Sequence, residues 1–190
     1  MARIPYPDPA ASPAPVREAL DALPPLNIFR MLSHAETAFR PFLRFGGAVL
    51  GSLELDPRLR ELAILEVARL TPARYEWVQH VPIAKAVGVT DEQVAALEAG
   101  DLEAGCWGES DRLMLAFTGE VVRGIRPDDE LFSRLAAHLQ PREIVELLLT
   151  IGEYMMLARV MVALDLELDD PAGVGVVDRA RENRPLLDTE

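Results

Sequence analysis

Beginning at Pro141, apolar side chains recur at Ile144, Leu147, Leu148, Ile151, Tyr154, Met155, Ala158 and Val162. The spacing is i, i+3, i+4, i+7, the period of an α-helix with one apolar stripe. A helix with so much apolar surface is stable only when other elements cover it, so the pattern predicts a central core helix over about 141–166. Sustained apolar–polar alternation and β-rich runs bounded by turn residues do not occur. The expected fold class is all-α.

Start and stop signals divide the rest. The stretch "NIFRMLSHAETAFRPFLRFGGAVL" gives one or two helices, with Pro41 as a break or a first turn. Asp56 followed by Pro57 reads as an N-cap acid and a first-turn proline, opening a helix to about Leu70. The next helix covers roughly Pro72 to Val87 and stops at Gly88. Thr90 and Gln93 form a capping box for a short helix to Ala99. Ser110 caps a helix to about Arg123. Pro127, with Asp128, Asp129 and Glu130 behind it, opens another, where acids suit the positive end of the helix dipole. The chain therefore reads as one helical domain over 24–168, with a Pro-rich arm at 1–23 and an irregular tail at 169–190. Five prolines in residues 1–15 predict an extended arm suited to reaching across a subunit boundary.

With 190 residues, 49% of them hydrophobic, the chain can bury a core without disulfides or metal. The net charge of -12 weighs against nucleic acid and against anionic membrane surfaces. A local arginine cluster can still bind a small anion. Cys106 is the single cysteine, so neither an intrachain disulfide nor a CxxC pair is available. His34, His80 and His138 lack zinc-ligand spacing, and no metal or cofactor is expected. No apolar run is long enough to span a membrane, and the N-terminal stretch lacks a secretory core, so a cytoplasmic location is expected.

The stretch "TPARYEWVQHVPIAKAVGVT" places Glu76 and His80 four residues apart, on the same face of a helix as Ala73. Glu61, on the preceding helix "PRLRELAILEVARL", can approach that face if a short connection near Thr71 makes the two helices antiparallel neighbours. A carboxyl group in an apolar pocket holds its proton more tightly, and an adjacent imidazole can exchange one near neutral pH. On spacing alone, a surface salt bridge or a histidine bonded to a helix carbonyl would serve equally well.

The stretch "RELAILEVARLTPARYEWVQHVPIAKAVGVTDEQVAAL" resembles the carboxymuconolactone decarboxylase family, which includes the AhpD-like branch. The flanking "PLNIFRMLSHAETAFRPFLRFGGAVL" and "ESDRLMLAF" also look like that family, so the resemblance covers about 24–165. It implies an AhpD-like helical bundle. In the peroxidase branch the site reads glutamate, eleven residues, CxxC, three residues, histidine. Here the glutamate falls on Glu61 and the histidine on His80, while the cysteine positions hold Ala73 and Glu76. A thiolate attacks a peroxide and a second thiol resolves the sulfenate, and neither alanine nor glutamate can do this.

What remains implies a cofactor-free, decarboxylase-type lyase or isomerase acting on a small lactone or carboxylic acid. Glu61, Glu76 and His80 are its candidate catalytic residues. Tyr75 and Trp77 are candidate pocket walls, and Arg58 and Arg60 candidate carboxylate binders. A peroxidase resting on Cys106 and a non-catalytic helical oligomer that binds a small molecule are the alternatives. The resemblance also implies a homotrimer, or a hexamer of trimers. Wide apolar arcs on the helices at 28–50 and 142–166 point the same way. Met155, Met156 and Met161 read as core filler. Glu153 and Tyr154 are within reach of a pocket, with nothing in the sequence to decide it.

Overall fold

The computed structural model describes residues 1–182. Ten α-helices and a short 3-10 turn at Pro9–Ala11 form among the described residues, with no strand. The helices are α1 (Ala14–Asp21), α2 (Asn27–Leu32), α3 (Glu36–Gly51), α4 (Pro57–Leu70), α5 (Arg74–Ala86), α6 (Asp91–Ala99), α7 (Glu109–Gly124), α8 (Asp129–Ala136), α9 (Pro141–Ala163) and α10 (Gly175–Glu182). The fold is all-α, and none of these helices is long and apolar enough to cross a membrane.

The centre of the bundle is α4. Every residue from Arg60 to Ala68 is buried, because α5, α7 and α9 pack around it. Its start follows from Asp56, whose carboxylate accepts from the N–H groups of Arg58 and Leu59, a cap worth about 1 kcal/mol. A helix enclosed on all sides must satisfy its charges internally. Glu66 does so with two bonds from Arg69, at 2.8 Å each. Glu61 does so within the candidate site.

The central place expected for α9 thus belongs to α4. Along α9 the buried line is Ile144, Leu147, Ile151, Tyr154, Leu157, Ala158 and Met161, while Val145, Leu148, Leu149, Met156 and Val162 remain exposed. Two helix starts also move. Gly108, not Ser110, caps α7, and the Asp111 carboxylate accepts from the Gly108 N–H at 3.2 Å. Asp128 caps α8 by accepting from Glu130 and Leu131. The Thr90–Gln93 capping box forms with both bonds, and Gly100 closes α6 in the left-handed conformation at φ 72°. Pro41 sits inside α3 and does not break it.

Both ends of the chain are more ordered than their composition suggests. The arm contains α1, whose Val16 and Ala19 pack on Phe39 and Leu43 of α3 as a second small core. Before it, residues 2–6 lie against their own chain. Arg3 N–H donates to Leu164 at 2.9 Å, and Tyr6 donates to Glu167 at 2.8 Å. His34 pins the same segment by donating from Nε2 to the Pro5 carbonyl at 2.9 Å. The expected irregular tail starts with an anchor at Asp169 and continues into α10, which lies along α3. The last part of that tail, 183–190, lies outside the described residues.

Candidate active site

A cavity of about 110 Å³ lies between α2, α3, α5, α9 and α10. Its walls are mostly aliphatic and aromatic: Leu26, Ile28, Phe29 and Leu32 near α2, Phe42, Leu43 and Leu50 from α3, and Leu157 and Met161 from α9. Into this apolar space project Glu76 and His80 from α5, and Glu153 and Tyr154 from α9.

The Glu61–His80 pair forms because Thr71 and the residues after it turn α5 back against α4. Glu61 is fully buried behind His80, and its Oε2 lies 2.8 Å from His80 Nδ1. The other oxygen, Oε1, accepts from Arg60 Nε at 3.1 Å and from Nη2 at 2.9 Å. One carboxylate therefore holds a buried guanidinium on one side and an imidazole on the other. The imidazole is fixed further by the ring of Tyr154, edge-on at a centroid distance of 4.8 Å. With Nδ1 engaged, Nε2 is the ring nitrogen left to exchange a proton with a molecule in the cavity.

Glu76 and Glu153 are different in kind. Glu76 is 1% exposed, and neither of its oxygens has a hydrogen-bond partner; Glu153 is 4% exposed, and its Oε2 has none. Burial is the main cause that raises the Glu76 carboxyl well above the usual range, helped by the nearby charges of Glu153 and Glu61. Burial alone pushes Glu153 up to about 8. The Tyr154 phenol is raised well above its ordinary value by burial first and by the three glutamates second. Glu153 fits because α3 carries Gly46 opposite it. A Cβ there would come within 2.7 Å of Glu153 Oε1.

The roof is tied down by polar bonds to α5. The Tyr75 hydroxyl donates to Asp169, which also accepts from the Asn27 N–H at 2.6 Å. Gln79 accepts from the Ala172 N–H at 3.0 Å and donates to the carbonyls of Asp169 and Asp170 at 3.3 Å each. These bonds lay the tail across the cavity, so that Val176 and Arg179 of α10 form part of its wall.

Of the residues singled out in the sequence, Glu76, His80 and Tyr75 line the cavity, and Glu61 reaches it through His80. Trp77 does not line it; its side chain belongs to the main core. Arg58 points elsewhere, in a two-bond pair with Asp111 at 2.7 and 2.9 Å that ties α4 to α7. Arg60 is spent on Glu61. Neither arginine lines the cavity, so carboxylate binding there is not their part. Cys106 is half-buried and is not a lining residue. Sequence reasoning left Glu153 undecided and missed Gly46 and Gln79. The one available signal was a polar line on a mostly apolar helix: Glu146, Thr150 and Glu153 share a buried face of α9.

The pocket thus sets a buried Glu61–His80 pair beside two buried carboxyls, Glu76 and Glu153. Residues 36–118 match the model of the carboxymuconolactone decarboxylase family. An uncharacterized peroxidase-related protein from Ralstonia eutropha JMP134, described as an alkylhydroperoxidase AhpD core, has the same fold. It superposes with a TM-score of 0.76 at 21% identity, over 89% of this chain and 93% of that one. A protein of unknown function from Agrobacterium tumefaciens, described as a putative antioxidant defence protein AhpD, gives 0.66 at 20% identity, covering 73% and 94%. An uncharacterized peroxidase-related protein from Silicibacter sp. TM1040 gives 0.67 at 16% identity, covering 81% and 80%. No curated protein matches the chain.

Proposed function

We propose that this protein is a lyase or isomerase of the decarboxylase type, moving protons on a small lactone-like substrate with its own side chains. The observation that carries the proposal is the cavity itself. It joins an imidazole held by Glu61 to two buried carboxyls with unpartnered oxygens. Burying a carboxyl without partners costs on the order of 1–3 kcal/mol. A fold keeps such groups where a ligand completes them.

The roles follow from position. Glu61 fixes the imidazole with its proton on Nδ1, so Nε2 is a base facing the cavity. Glu76, held in its acid form by burial, is a proton donor. Glu153, titrating near about 8, can do either near neutral pH. Arg60 keeps Glu61 in place and does not touch the substrate.

The test is turnover of small butenolides, some bearing an acid group, by wild type, His80→Gln, Glu76→Gln and Cys106→Ser. His80→Gln and Glu76→Gln should each lower the rate by about 10²–10⁴-fold, with the double variant little worse than either. Cys106→Ser should leave it unchanged. The antioxidant alternative requires the opposite: hydroperoxide turnover that Cys106→Ser abolishes and His80→Gln retains.

A further inference from the structure

Four features of the cavity bear on what it takes, and all are geometric. The first is size. At about 110 Å³ it is somewhat smaller than an apolar cavity of about 150 Å³ that accepts benzene, so one small ring fills it. The second is the wall, which is apolar around most of its circumference.

The third is charge. The two arginines that precede Glu61 on α4 are committed, Arg58 to Asp111 and Arg60 to Glu61. Among the described residues, the one arginine or lysine that lines the cavity is Arg179, and it is exposed to solvent on the roof helix. The inner end instead presents Glu76 and Glu153, with the Glu61 carboxylate behind His80. A carboxylate placed there would be desolvated against two carboxyls with no cation to meet it.

The fourth is the open valence of the site. Three buried oxygens, both of Glu76 and one of Glu153, lack partners. A buried carboxyl that no cation or donor touches keeps its proton, and a protonated carboxyl is a hydrogen-bond donor. The missing partner is therefore a hydrogen-bond acceptor, and with no arginine or lysine among the described residues lining that end, an acceptor on a neutral molecule suits it better than a carboxylate.

We propose that the cavity takes an uncharged five- or six-membered-ring carbonyl compound, its carbonyl oxygen on the Glu76 and Glu153 carboxyls, and excludes the carboxylate-bearing counterpart. The reaction step rests on the proton-transfer reading of the same site. In that step His80 Nε2 takes the proton from the carbon next to the carbonyl, and the C–H electron pair becomes a C=C bond. The carbonyl oxygen takes the Glu76 proton, giving a neutral enol, an imidazolium and a Glu76 carboxylate. For a β,γ-unsaturated ring, Glu76 then recovers its proton from the enol oxygen while the imidazolium protonates the γ-carbon. The product is the conjugated isomer, and both residues return to their starting states. A buried carboxylic acid that donates to a carbonyl beside a separate base is established chemistry for such isomerisation.

The experiment uses two probes with the full chain: α-angelica lactone, a neutral β,γ-unsaturated butenolide, and a butenolide of the same ring carrying an acetate group. Binding is read by saturation-transfer NMR titration, and isomerisation by ultraviolet absorbance. The expected result is saturable binding of the neutral lactone at least about tenfold tighter than that of the acid. Its conversion to the conjugated lactone should be lost in His80→Gln. Tight neutral binding without conversion would uphold the substrate class and remove the proton-transfer reading. Acid binding equal to or tighter than neutral binding overturns the substrate class, whether or not the acid is turned over. Absence of saturable binding of either probe at millimolar concentration also overturns it.

Discussion

Replacing Glu153 with glutamine should make the protein more stable at neutral pH while impairing its chemistry. The side chain is 4% exposed, and burial raises its carboxyl from 4.5 to about 8. The folded state therefore holds a proton that the unfolded chain releases above about 4.5. A carboxyl raised in this way contributes its full stability below the unfolded value and loses it as pH rises through the folded one. Between those limits unfolding releases one proton, and stability falls by about 1.4 kcal/mol per pH unit. Glutamine has nearly the same shape as the protonated acid but cannot ionise in either state. The stability difference, variant minus wild type, should thus grow by roughly 3 kcal/mol from pH 5 to pH 7, two units at about 1.4 kcal/mol each. It should level off above about pH 8. Glu76 is raised too and adds its own slope in both proteins, chiefly through burial, which the substitution leaves in place, while the smaller part that comes from the Glu153 charge is removed with it. The assay is urea unfolding followed by circular dichroism at several pH values, at one protein concentration so that any self-association is held fixed. A difference that does not change with pH would refute the reasoning, since it would mean that Glu153 is not a buried neutral acid.

Gly46→Ala tests the same carboxyl from the opposite wall. The added Cβ would sit 2.7 Å from Glu153 Oε1, so the side chain must swing aside. Turnover should drop by about 10²-fold, while melting changes little because alanine also favours the helix by about 1 kcal/mol. Tyr75→Phe removes the bonds that the hydroxyl makes to Asp169 and to the Ile28 N–H, at a cost of about 1–3 kcal/mol; hydrogen exchange should rise first in α10, and an unchanged rate there would show that Asp169 does not anchor the roof. Glu61→Gln should destabilise by about 3–5 kcal/mol, more than His80→Gln, because it leaves Arg60 buried beside a neutral amide; equal urea midpoints for the two variants would contradict this. We also propose self-association through α9, which exposes Val145, Leu149 and Met156 along one side. Sedimentation of a single 20.9 kDa species at micromolar concentration would exclude it.

Local sequence determined the helices and many of their ends. The 3.6-residue period, the Asp56–Pro57 start, the Thr90–Gln93 capping box and the stop at Gly100 act within one or two turns, so residue order alone expresses them. The Glu76–His80 spacing and the resemblance to the family located half of the site in the same way. Only the tertiary structure decided which buried helix is central, because α4 and α9 both carry long apolar arcs and the choice depends on what packs around each. It also decided the fate of the arginines. Arg58 looked available beside Glu61, but Asp111 reaches it from fifty-three positions away. Glu153 entered the site because α9 meets α3 at Gly46, a close approach that this one glycine permits and that no periodicity encodes. The tail became a roof for a similar reason. Composition made 169–190 look irregular, yet Asn27, Tyr75 and Gln79 supply partners for Asp169, Asp170 and Ala172 across a gap of ninety or more residues. Caps and periods are short-range and can be read in order along the chain. The polarity, charge balance and enclosure of the cavity are sums over helices distant in sequence, and they exist only once those helices are packed.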